Sequence, residues 1–294
     1  MNILITGANG LLGRNLVEIL SKKHRVFAVV KKKNQIKFKL NKNISVIETD
    51  LCNLVVKKLP KNIDVIYYLA QSNDFRAFPE GIKDMISLNI LTPTILAKWG
   101  TENGVKKFIY FSSGGVYLNQ NKLANEIDPI DANKELGFYL NTKLSAEMLL
   151  KNYLKLYKAL IIVRPFFMYG IGQKKDMLIP RLISSIRNEK EISIDGKEGI
   201  KISPIYITDA ANATAKIINL NGGLTINIGG DEIISLKKLV LMMGAELKKK
   251  PIIKNNNQAQ NDLIGDNTKM KLKLYKPKIK LKIGIKKINQ WMCN

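Results

Sequence analysis

The sequence predicts an α/β protein in which a doubly wound parallel sheet carries helices on both faces. Two observations predict this fold: unbroken apolar runs recur up to Arg164, and helix-like stretches lie between them. Strands that are buried on both faces are typically continuous apolar runs, because neither side of the strand contacts water. A third observation is a glycine-rich turn directly after the first apolar run. The composition, with 46% hydrophobic and 24% charged residues, excludes a disordered chain, collagen and a disulfide scaffold.

The predicted elements can be followed from the first residues. The run "NILIT" at Asn2 to Thr6 is a predicted strand, and the stretch from Leu11 has the three- and four-residue apolar spacing of a helix. The most extended helix-like stretches are Gly81 to Glu102 and Glu135 to Tyr157. Further predicted strands are the apolar runs that end at Val30, Glu48, Ala70, Ser113 and Arg164.

After Arg164 the pattern becomes less regular, and turn-forming residues are frequent. A helix-like stretch runs from Met177 to Asn188, short strands are predicted near Ile192 and Ile205, and the polar stretch from Asn255 to Asn261 predicts a loop. We therefore expect a first domain over residues 1–165. Residues 166–294 are expected to form mainly a smaller, discontinuous C-terminal lobe, with some segments returning to the first domain.

The charge balance is strongly basic, with 48 Lys and Arg against 24 Asp and Glu, or a net charge of +24. Most of the cations are lysines, and only 7% of the residues are aromatic. Proteins that read nucleic acid usually use arginine forks and exposed aromatic rings, so specific nucleic-acid binding is not expected. The lysine-rich segment from Lys269 to Lys287 has two interpretations, a solvated edge or terminal helix, or a surface for an anionic partner.

The rare residue types exclude several kinds of chemistry. Cys52 and Cys293 match no metal-ligand spacing, so we expect reduced thiols, no metal site and a cytoplasmic location. His24 is the only histidine, which excludes histidine-based triads. The sequence has no signal-peptide pattern and no apolar stretch long enough to span a membrane.

The glycine-rich turn "TGANGLLG" predicts a dinucleotide site. Gly7, Gly10 and Gly13 lie between a predicted strand and a predicted helix, where missing side chains let the backbone approach a pyrophosphate at the positive end of the helix. The turn therefore predicts a Rossmann-like first domain that binds a dinucleotide. The C-terminal lobe is then the mainly substrate-binding part.

With this turn, the chain resembles the extended short-chain dehydrogenase/reductases, the family of nucleotide-sugar epimerases, dehydratases and ketoreductases. The resemblance continues in order along nearly the whole chain. The matching segments are "TDL" at Asp50, "YLAQ" at Ala70, the stretch around Asn89, "FSSGGVY" around Ser113, "YLNTK" at Tyr139 to Lys143, "RPFFMYG" at Arg164, "PIYITDAANA" at Asp209, "INIGG" at Asn227 and "GDNTKMK" at Asp266.

The resemblance implies NAD(H) or NADP(H) as the cofactor, a nucleotide-sugar substrate and a homodimer. It also implies a set of site residues. The implied cofactor-binding residues are Gly7, Asn9, Gly10, Leu11, Leu12, Gly13, Lys31, Asp50, Leu51, Leu69, Ala70, Asn89, Tyr139, Lys143 and Phe166. The implied substrate-binding residues are Ser112, Gly114, Phe167, Arg181 and Lys201.

The candidate catalytic residues are Ser113, Tyr139 and Lys143. Without a usable histidine, a tyrosine can act as the acid and base if a nearby cation lowers its pKa. Tyr139 and Lys143 are four residues apart on a predicted helix, so they lie on one face. Ser113 ends a predicted strand at the carboxyl edge of the sheet and would hold the substrate oxygen, with Ser112 supporting it.

Several departures from the family pattern affect the specificity. Lys31 to Lys33 stand where an acid would bind the ribose hydroxyls, which favours NADPH, although NAD can also bind. Gly114 and Gly115 replace the Asp-Glu pair of the 4,6-dehydratases, which disfavours dehydration. The phosphate-binding pattern of the second lobe is diluted, because Phe167 and Ile202 replace an Asn and an Arg. Arg181, Arg187 and Lys201 either replace that charge or are solvated surface cations with no role in substrate binding.

The sequence therefore predicts oxidoreduction at carbon 4 of a nucleotide-activated sugar. Reduction of a 4-keto sugar with NADPH is slightly favoured, and redox-neutral 4-epimerization with bound NAD is the alternative. A remote alternative is a non-catalytic dinucleotide-binding protein that uses its basic tail for an acidic partner.

Overall fold

The structure, a computed structural model, describes residues 1–117, 122–131, 133, 135–258 and 261–293. It confirms the predicted α/β class with its central parallel sheet in Rossmann-like order. The strands are β1 (Asn2–Thr6), β2 (Arg25–Val30), β3 (Ile44–Glu48), β4 (Val65–Tyr68), β5 (Lys107–Phe111), β6 (Ala159–Pro165), β7 (Met168–Tyr169), β8 (Ile192–Asp195), β9 (Lys201–Ile202), β10 (Ile205–Tyr206), β11 (Gly222–Ile228), β12 (Ile234–Ser235) and β13 (Ile253–Asn256).

The helices follow the strands in the alternation that the sequence predicts. They are α1 (Leu11–Leu20), α2 (Ile82–Ile86), α3 (Thr92–Glu102), α4 (Phe138–Lys151), α5 (Leu178–Arg187), α6 (Ile207–Lys216), α7 (Leu236–Leu247), α8 (Thr268–Lys273) and α9 (Leu281–Cys293). A π-helical segment, Ser87–Leu91, joins α2 to α3, so the predicted helix from Gly81 to Glu102 is one helical stretch with a wide turn in its middle.

The central sheet has seven strands in the order β11-β6-β5-β4-β1-β2-β3. The pairs from β3 across to β6 are parallel. The chain moves outward from β1 in one direction through β2 and β3 and in the other through β4, β5 and β6. The order therefore reverses beside β1, and crevices at such a reversal bind ligands at the carboxyl ends of the strands.

Apolar side chains on both faces of the sheet stabilise it. Leu4, Ile66, Phe108 and Leu160 belong to one buried cluster with Leu96 of α3. Nearly complete burial of β1, β2, β4, β5 and β6 explains why their sequences are unbroken apolar runs rather than alternating ones. The sheet is thus a rigid base for the loops that follow its strands.

The chain divides into two compact units. The first comprises Met1–Val116, Ile130–Arg164 and Ala211–Ile226, and the second comprises Tyr117–Pro129, Pro165–Ala210 and Asn227–Asn294. The first unit contains the glycine turn and the Tyr139–Lys143 pair. The assignment of residues 1–165 to cofactor binding and of residues 166–294 to substrate binding stays a prediction.

The second unit is built from helices and short strand pairs. Helix α5 packs with α7 and α9, and three two-stranded sheets join β7 to β10, β8 to β13 and β9 to β12. Strand β13 pairs with β8 and occupies the beginning of the predicted polar loop from Asn255 to Asn261, so that part of the prediction is wrong. The polar side chains of β13 form no apolar run in the sequence, and backbone pairing with β8 orders this strand.

The lysine-rich tail is a docked terminal helix and not a free extension. Leu281, Ile285 and Ile288 of α9 are buried. The carboxylate of Asp209 accepts hydrogen bonds from the backbone N–H groups of Lys278 and Ile279 at 2.8 and 2.7 Å. Within the described residues, no helix combines the length and the apolar character that crossing a bilayer would require.

Candidate active site

The glycine turn leaves the first turn of α1 open to a ligand. Gly7 has a φ of +65°, and a Cβ there would lie 2.9 Å from the backbone N of Ala70. A Cβ on Gly13 would lie 2.1 Å from the carbonyl oxygen of Gly7. Gly10 is the N-cap and offers no side-chain cap to the amides of the helix. Those amides and the positive end of the helix fit a pyrophosphate.

The other residues of the turn have structural tasks. Leu12, in the first turn of α1, is buried. Asn9 donates from Nδ2 to the carbonyl oxygen of Gln35 and accepts from the N–H of Lys37, both at 3.0 Å. Its side chain therefore fixes the loop that follows β2, where an adenosine ribose is expected. Thr6 Oγ1 accepts from the N–H groups of Leu69 and Ala70, which fixes the end of β4 beside the turn.

The loop after β2 carries a cation next to the candidate adenine-binding acid. Lys31 Nζ lies 3.5 Å from the Asp50 carboxylate, and both side chains are substantially exposed. Asp50 also accepts from the N–H of Cys52 at 3.0 Å, while the carbonyl of Leu51 accepts from Thr92 Oγ1. The first predicted cation of the loop is thus partly neutralised by Asp50, which weakens the argument for a 2′-phosphate site.

Tyr139 and Lys143 meet as predicted on the first turns of α4. Lys143 is 1% exposed, and its Nζ donates to the carbonyl oxygen of Phe111 at 3.0 Å. The same nitrogen lies 5.3 Å from the centre of the Tyr110 ring and 6.0 Å from the centre of the Tyr139 ring. The end of β5 therefore holds the ammonium group close to the phenol.

The pKa of Tyr139 shifts in the direction opposite to the one that the sequence predicted. Burial lowers the pKa of Lys143 to about 7, while the carboxylate of Glu147 acts in the opposite sense. Burial raises the pKa of the Tyr139 phenol, whereas the sequence predicted a decrease caused by Lys143. A lysine that is itself removed from water carries its charge less readily and stabilises a phenolate less.

The serines lie at the end of β5. Ser113 Oγ accepts from the N–H of Gly115 at 3.1 Å. Ser112 is buried, and its Oγ has no hydrogen-bond partner among the described residues. Gly115 is closely packed, since a Cβ there would lie 2.8 Å from the side chain of Leu140. Gly114 and Gly115 offer no carboxylate or other side chain to the chemistry.

Asn89 is placed by the π-helical segment between α2 and α3. It is fully buried and donates from Nδ2 to Thr142 Oγ1 of α4 at 3.0 Å, and its carbonyl accepts from the Tyr110 hydroxyl. Its Oδ1 has no partner among the described residues. Single π-helical turns within α-helices occur frequently at functional sites. Asn89 thus links the helix that carries Tyr139 to the strand that holds Lys143.

Two residues that the sequence analysis did not identify complete this cluster. Glu147, one turn after Lys143, pairs with Arg164 through two hydrogen bonds, and both side chains are buried. The Tyr139 hydroxyl donates to Oε1 of Gln71 at 3.0 Å. The repeated four-residue spacing of Tyr139, Lys143 and Glu147 could have identified Glu147. No sequence signal could have identified Gln71, because 68 positions separate the two partners.

The predicted residues of the second unit have other surroundings. Phe166 is fully buried, and its ring stacks on Tyr117 with 6.1 Å between the centres. Phe167 has a φ of +33°, a strained conformation for a non-glycine residue. Arg181 is exposed, and Lys201 Nζ lies 3.6 Å from the Asp262 carboxylate.

Arg187 is not available to replace the diluted phosphate-binding charge. Its guanidinium donates to the carbonyl oxygens of Asn289 and Met292 at 2.7 and 3.1 Å. These carbonyls belong to the last turn of α9, where a cation interacts favourably with the negative end of the helix. The sequence interpretation of Arg187 as a candidate for substrate charge is therefore wrong.

Comparisons with known proteins identify similar proteins over most of the chain. The family model for the NAD-dependent epimerase/dehydratase family matches residues 3–229. The UDP-glucuronate 4-epimerase of Thermodesulfobacterium geofontis is 28% identical over 308 residues, covering 98% of this chain and 95% of that protein. The GDP-6-deoxy-D-talose 4-dehydrogenase of Aggregatibacter actinomycetemcomitans is 25% identical over 239 residues, with 78% and 74% covered.

Among solved structures, the chain is similar to the UDP-glucuronic acid 4-epimerase of Bacillus cereus in complex with UDP-glucuronic acid and NAD. The TM-score is 0.87 with 25% identity, and the match covers 100% of this chain and 99% of the other. The match extends over both units, so no large insertion or deletion separates the two folds.

Proposed function

Because the chain belongs to the NAD-dependent epimerase/dehydratase family, we propose that it catalyses redox-neutral epimerization at carbon 4 of a nucleotide-activated sugar, with NAD bound. The chain is an enzyme of the extended short-chain dehydrogenase/reductase type, as its sequence predicted. The relative from Thermodesulfobacterium geofontis and the similar Bacillus cereus structure are both UDP-glucuronate 4-epimerases. They support the epimerase alternative. The preference for a ketoreductase stays a prediction.

One observation carries the proposal: Lys143 is buried beneath Tyr139 in the same unit as the glycine turn. Burying a lysine is unfavourable. A lysine that is buried beside a phenol and a strand-end carbonyl therefore points to a chemical role. The glycine turn, which has no room for a Cβ on Gly7 or Gly13, fits a dinucleotide. A bound cofactor would supply the hydride exchange at carbon 4.

The chain's own residues would bind, orient and move a proton. The open first turn of α1 would hold the pyrophosphate, and Ser113 would orient the hydroxyl on carbon 4 of the sugar. Tyr139 would take the proton from that hydroxyl and return it after the hydride has been exchanged. Lys143 would hold positive charge next to Tyr139 while its phenol is deprotonated.

A second candidate function is reduction of a 4-keto sugar with NADPH. It is supported by the relative that is a 4-dehydrogenase, whereas Lys31 after β2 is paired with Asp50 and adds little support for NADPH. Dehydration is not favoured, since Gly114 and Gly115 have no acidic side chain that could help to expel water.

The test incubates the purified enzyme with a panel of UDP- and GDP-sugars, without added cofactor, and follows carbon 4 configuration by proton NMR. The proposal expects interconversion of one 4-epimer pair and NAD released on denaturation. Consumption of added NADPH with a 4-keto nucleotide sugar, and no epimerization, would support the second candidate instead.

We also propose that the enzyme is a homodimer joined through α2, α3 and α4 of the first unit. These helices and the π-helical segment between α2 and α3 expose apolar side chains, namely Ile82, Ile86, Leu91, Ile95 and Met148. Exposed apolar patches on helices that pack together mark interaction surfaces. Light scattering should give twice the mass of the chain, and Ile95→Lys should give a monomer.

A further inference from the structure

Gln71 is the hydrogen-bond partner of the candidate catalytic phenol. The Tyr139 hydroxyl donates to its Oε1 at 3.0 Å. Gln71 directly follows Ala70, whose backbone lies against Gly7 and is held by Thr6. The end of β4 therefore fixes the position of Gln71 relative to the glycine turn. The side chain is exposed and makes no other hydrogen bond among the described residues.

The surroundings of the phenol leave few groups to stabilise its charged form. Burial raises its pKa, and the ring of Phe75 packs on it with 5.2 Å between the ring centres. Lys143 donates to the Phe111 carbonyl, and its own pKa is lowered to about 7. A phenolate formed here is stabilised further by a hydrogen-bond donor that acts in addition to Lys143.

A carboxamide can serve the phenol in both protonation states. Its oxygen accepts from a phenol, and its NH₂ group donates to a phenolate. Half a rotation of the terminal amide exchanges the two groups without moving the backbone. A carboxylate can only accept, and an aliphatic side chain can do neither.

We propose that Gln71 is a positioning residue for proton transfer by Tyr139. Its Oε1 holds the protonated phenol, and its Nε2–H holds the phenolate that accepts the proton of the carbon 4 hydroxyl. The proton moves between the phenol oxygen and the sugar oxygen, and the amide neither gains nor loses one. This inference rests on the proposed function, which makes Tyr139 the acid and base.

The first test compares Gln71→Met and Gln71→Glu in the full-length enzyme by the pH dependence of kcat and KM. Gln71→Met loses both hydrogen bonds, so we expect its acidic limb to move up and kcat to stay about 10-fold low even at high pH, while KM changes little. Gln71→Glu keeps an acceptor but places a negative charge beside the phenolate. We expect its acidic limb to move up by about one pH unit and its activity to recover at high pH.

The second test does not depend on activity. The phenolate absorbance of Tyr139 in the enzyme without substrate is obtained as the difference between a protein and its Tyr139→Phe version. Gln71→Glu should raise the titration midpoint by about one pH unit. The matched control is Gln290→Glu, which changes the same residue type at an exposed position of α9 and should leave midpoint and activity unchanged.

The two tests separate this inference from the proposed function. If no sugar is turned over but Gln71→Glu still moves the midpoint, the contact between Gln71 and Tyr139 is supported and the proposed function is wrong. If Gln71→Met keeps the wild-type kcat and pH profile, or if Gln71→Glu leaves the midpoint where it is, the inference about Gln71 is overturned.

Discussion

Lys143 Nζ lies 3.0 Å from the carbonyl oxygen of Phe111, which is the last residue of β5. This bond joins α4 to the carboxyl end of a central strand. It therefore fixes the height and rotation of the helix turn that carries Tyr139. The position of the phenol depends in this way on the sheet and not on a surface loop, which suits a group that must meet a substrate with little motional freedom.

The burial of Lys143 predicts opposite effects of Lys143→Met on activity and stability. Activity should fall about 10² to 10⁴-fold, because the phenolate loses its neighbouring cation. The free energy of unfolding near pH 7 should rise, because the variant no longer removes an amine from water. Urea unfolding and initial rates at pH 7 check both effects. A variant that loses stability together with activity would contradict the prediction.

The lowered pKa of Lys143 also predicts a pH dependence of stability. The folded-state pKa of Lys143 is about 7, below the ordinary lysine value of 10.5. Between these values the unfolded chain binds more protons at this group, so its contribution raises the free energy of unfolding with pH, by up to about 1.4 kcal/mol per unit. The cost is fully present below the folded pKa and disappears as the pH approaches the unfolded pKa. Denaturation of the wild type and of Lys143→Met from pH 7 to pH 10 should show the gap between them closing.

The buried Glu147–Arg164 pair predicts a large loss of stability in Glu147→Gln. The substitution leaves the Arg164 guanidinium buried without its counter-charge, which typically costs about 3 to 5 kcal/mol. Glu102→Gln is the matched control, because Glu102 pairs with Lys98 on the exposed side of α3 and should cost less than about 0.5 kcal/mol. Urea midpoints of both variants check this. Equal effects would show that the buried pair contributes no more than a surface pair.

The glycine turn predicts that Gly13→Ala weakens cofactor binding. A Cβ at residue 13 would lie 2.1 Å from the Gly7 carbonyl oxygen, so the turn must open. Gly104→Ala also replaces a glycine, here one with a φ of +72° and nothing near its Cβ, and should cost only about 1 kcal/mol of stability. Calorimetry with NAD should show binding to Gly104→Ala and at least about 10-fold weaker binding to Gly13→Ala. Normal binding by Gly13→Ala would contradict this account of the turn.

Local pattern was sufficient to predict six strands of the central sheet, β1 to β6, and the spacing of Tyr139 and Lys143. Burial on both faces leaves a run such as β5 uninterrupted by polar residues, and the helix period fixes which residues share a face. Strand β13 could not be predicted, because its sequence is polar and its order comes from pairing with β8.

Properties that depend on residues distant in the chain could not be predicted from the sequence. The rise in the pKa of Tyr139 depends on how deeply α4 packs, and the use of Arg187 depends on where α9 ends. The sequence alone favours Lys31 as a phosphate-binding cation, but in the structure its Nζ lies 3.5 Å from the Asp50 carboxylate. In each case residues far apart in the chain determine the outcome.

The most direct test of the central claim compares wild type with Tyr139→Phe on the UDP-sugar that the wild type epimerizes, by proton NMR, with NAD content measured in the same samples. The account predicts a rate at least about 100-fold lower for Tyr139→Phe, with NAD still bound, since only the proton carrier is lost. A Tyr139→Phe enzyme that epimerizes at the wild-type rate would contradict it.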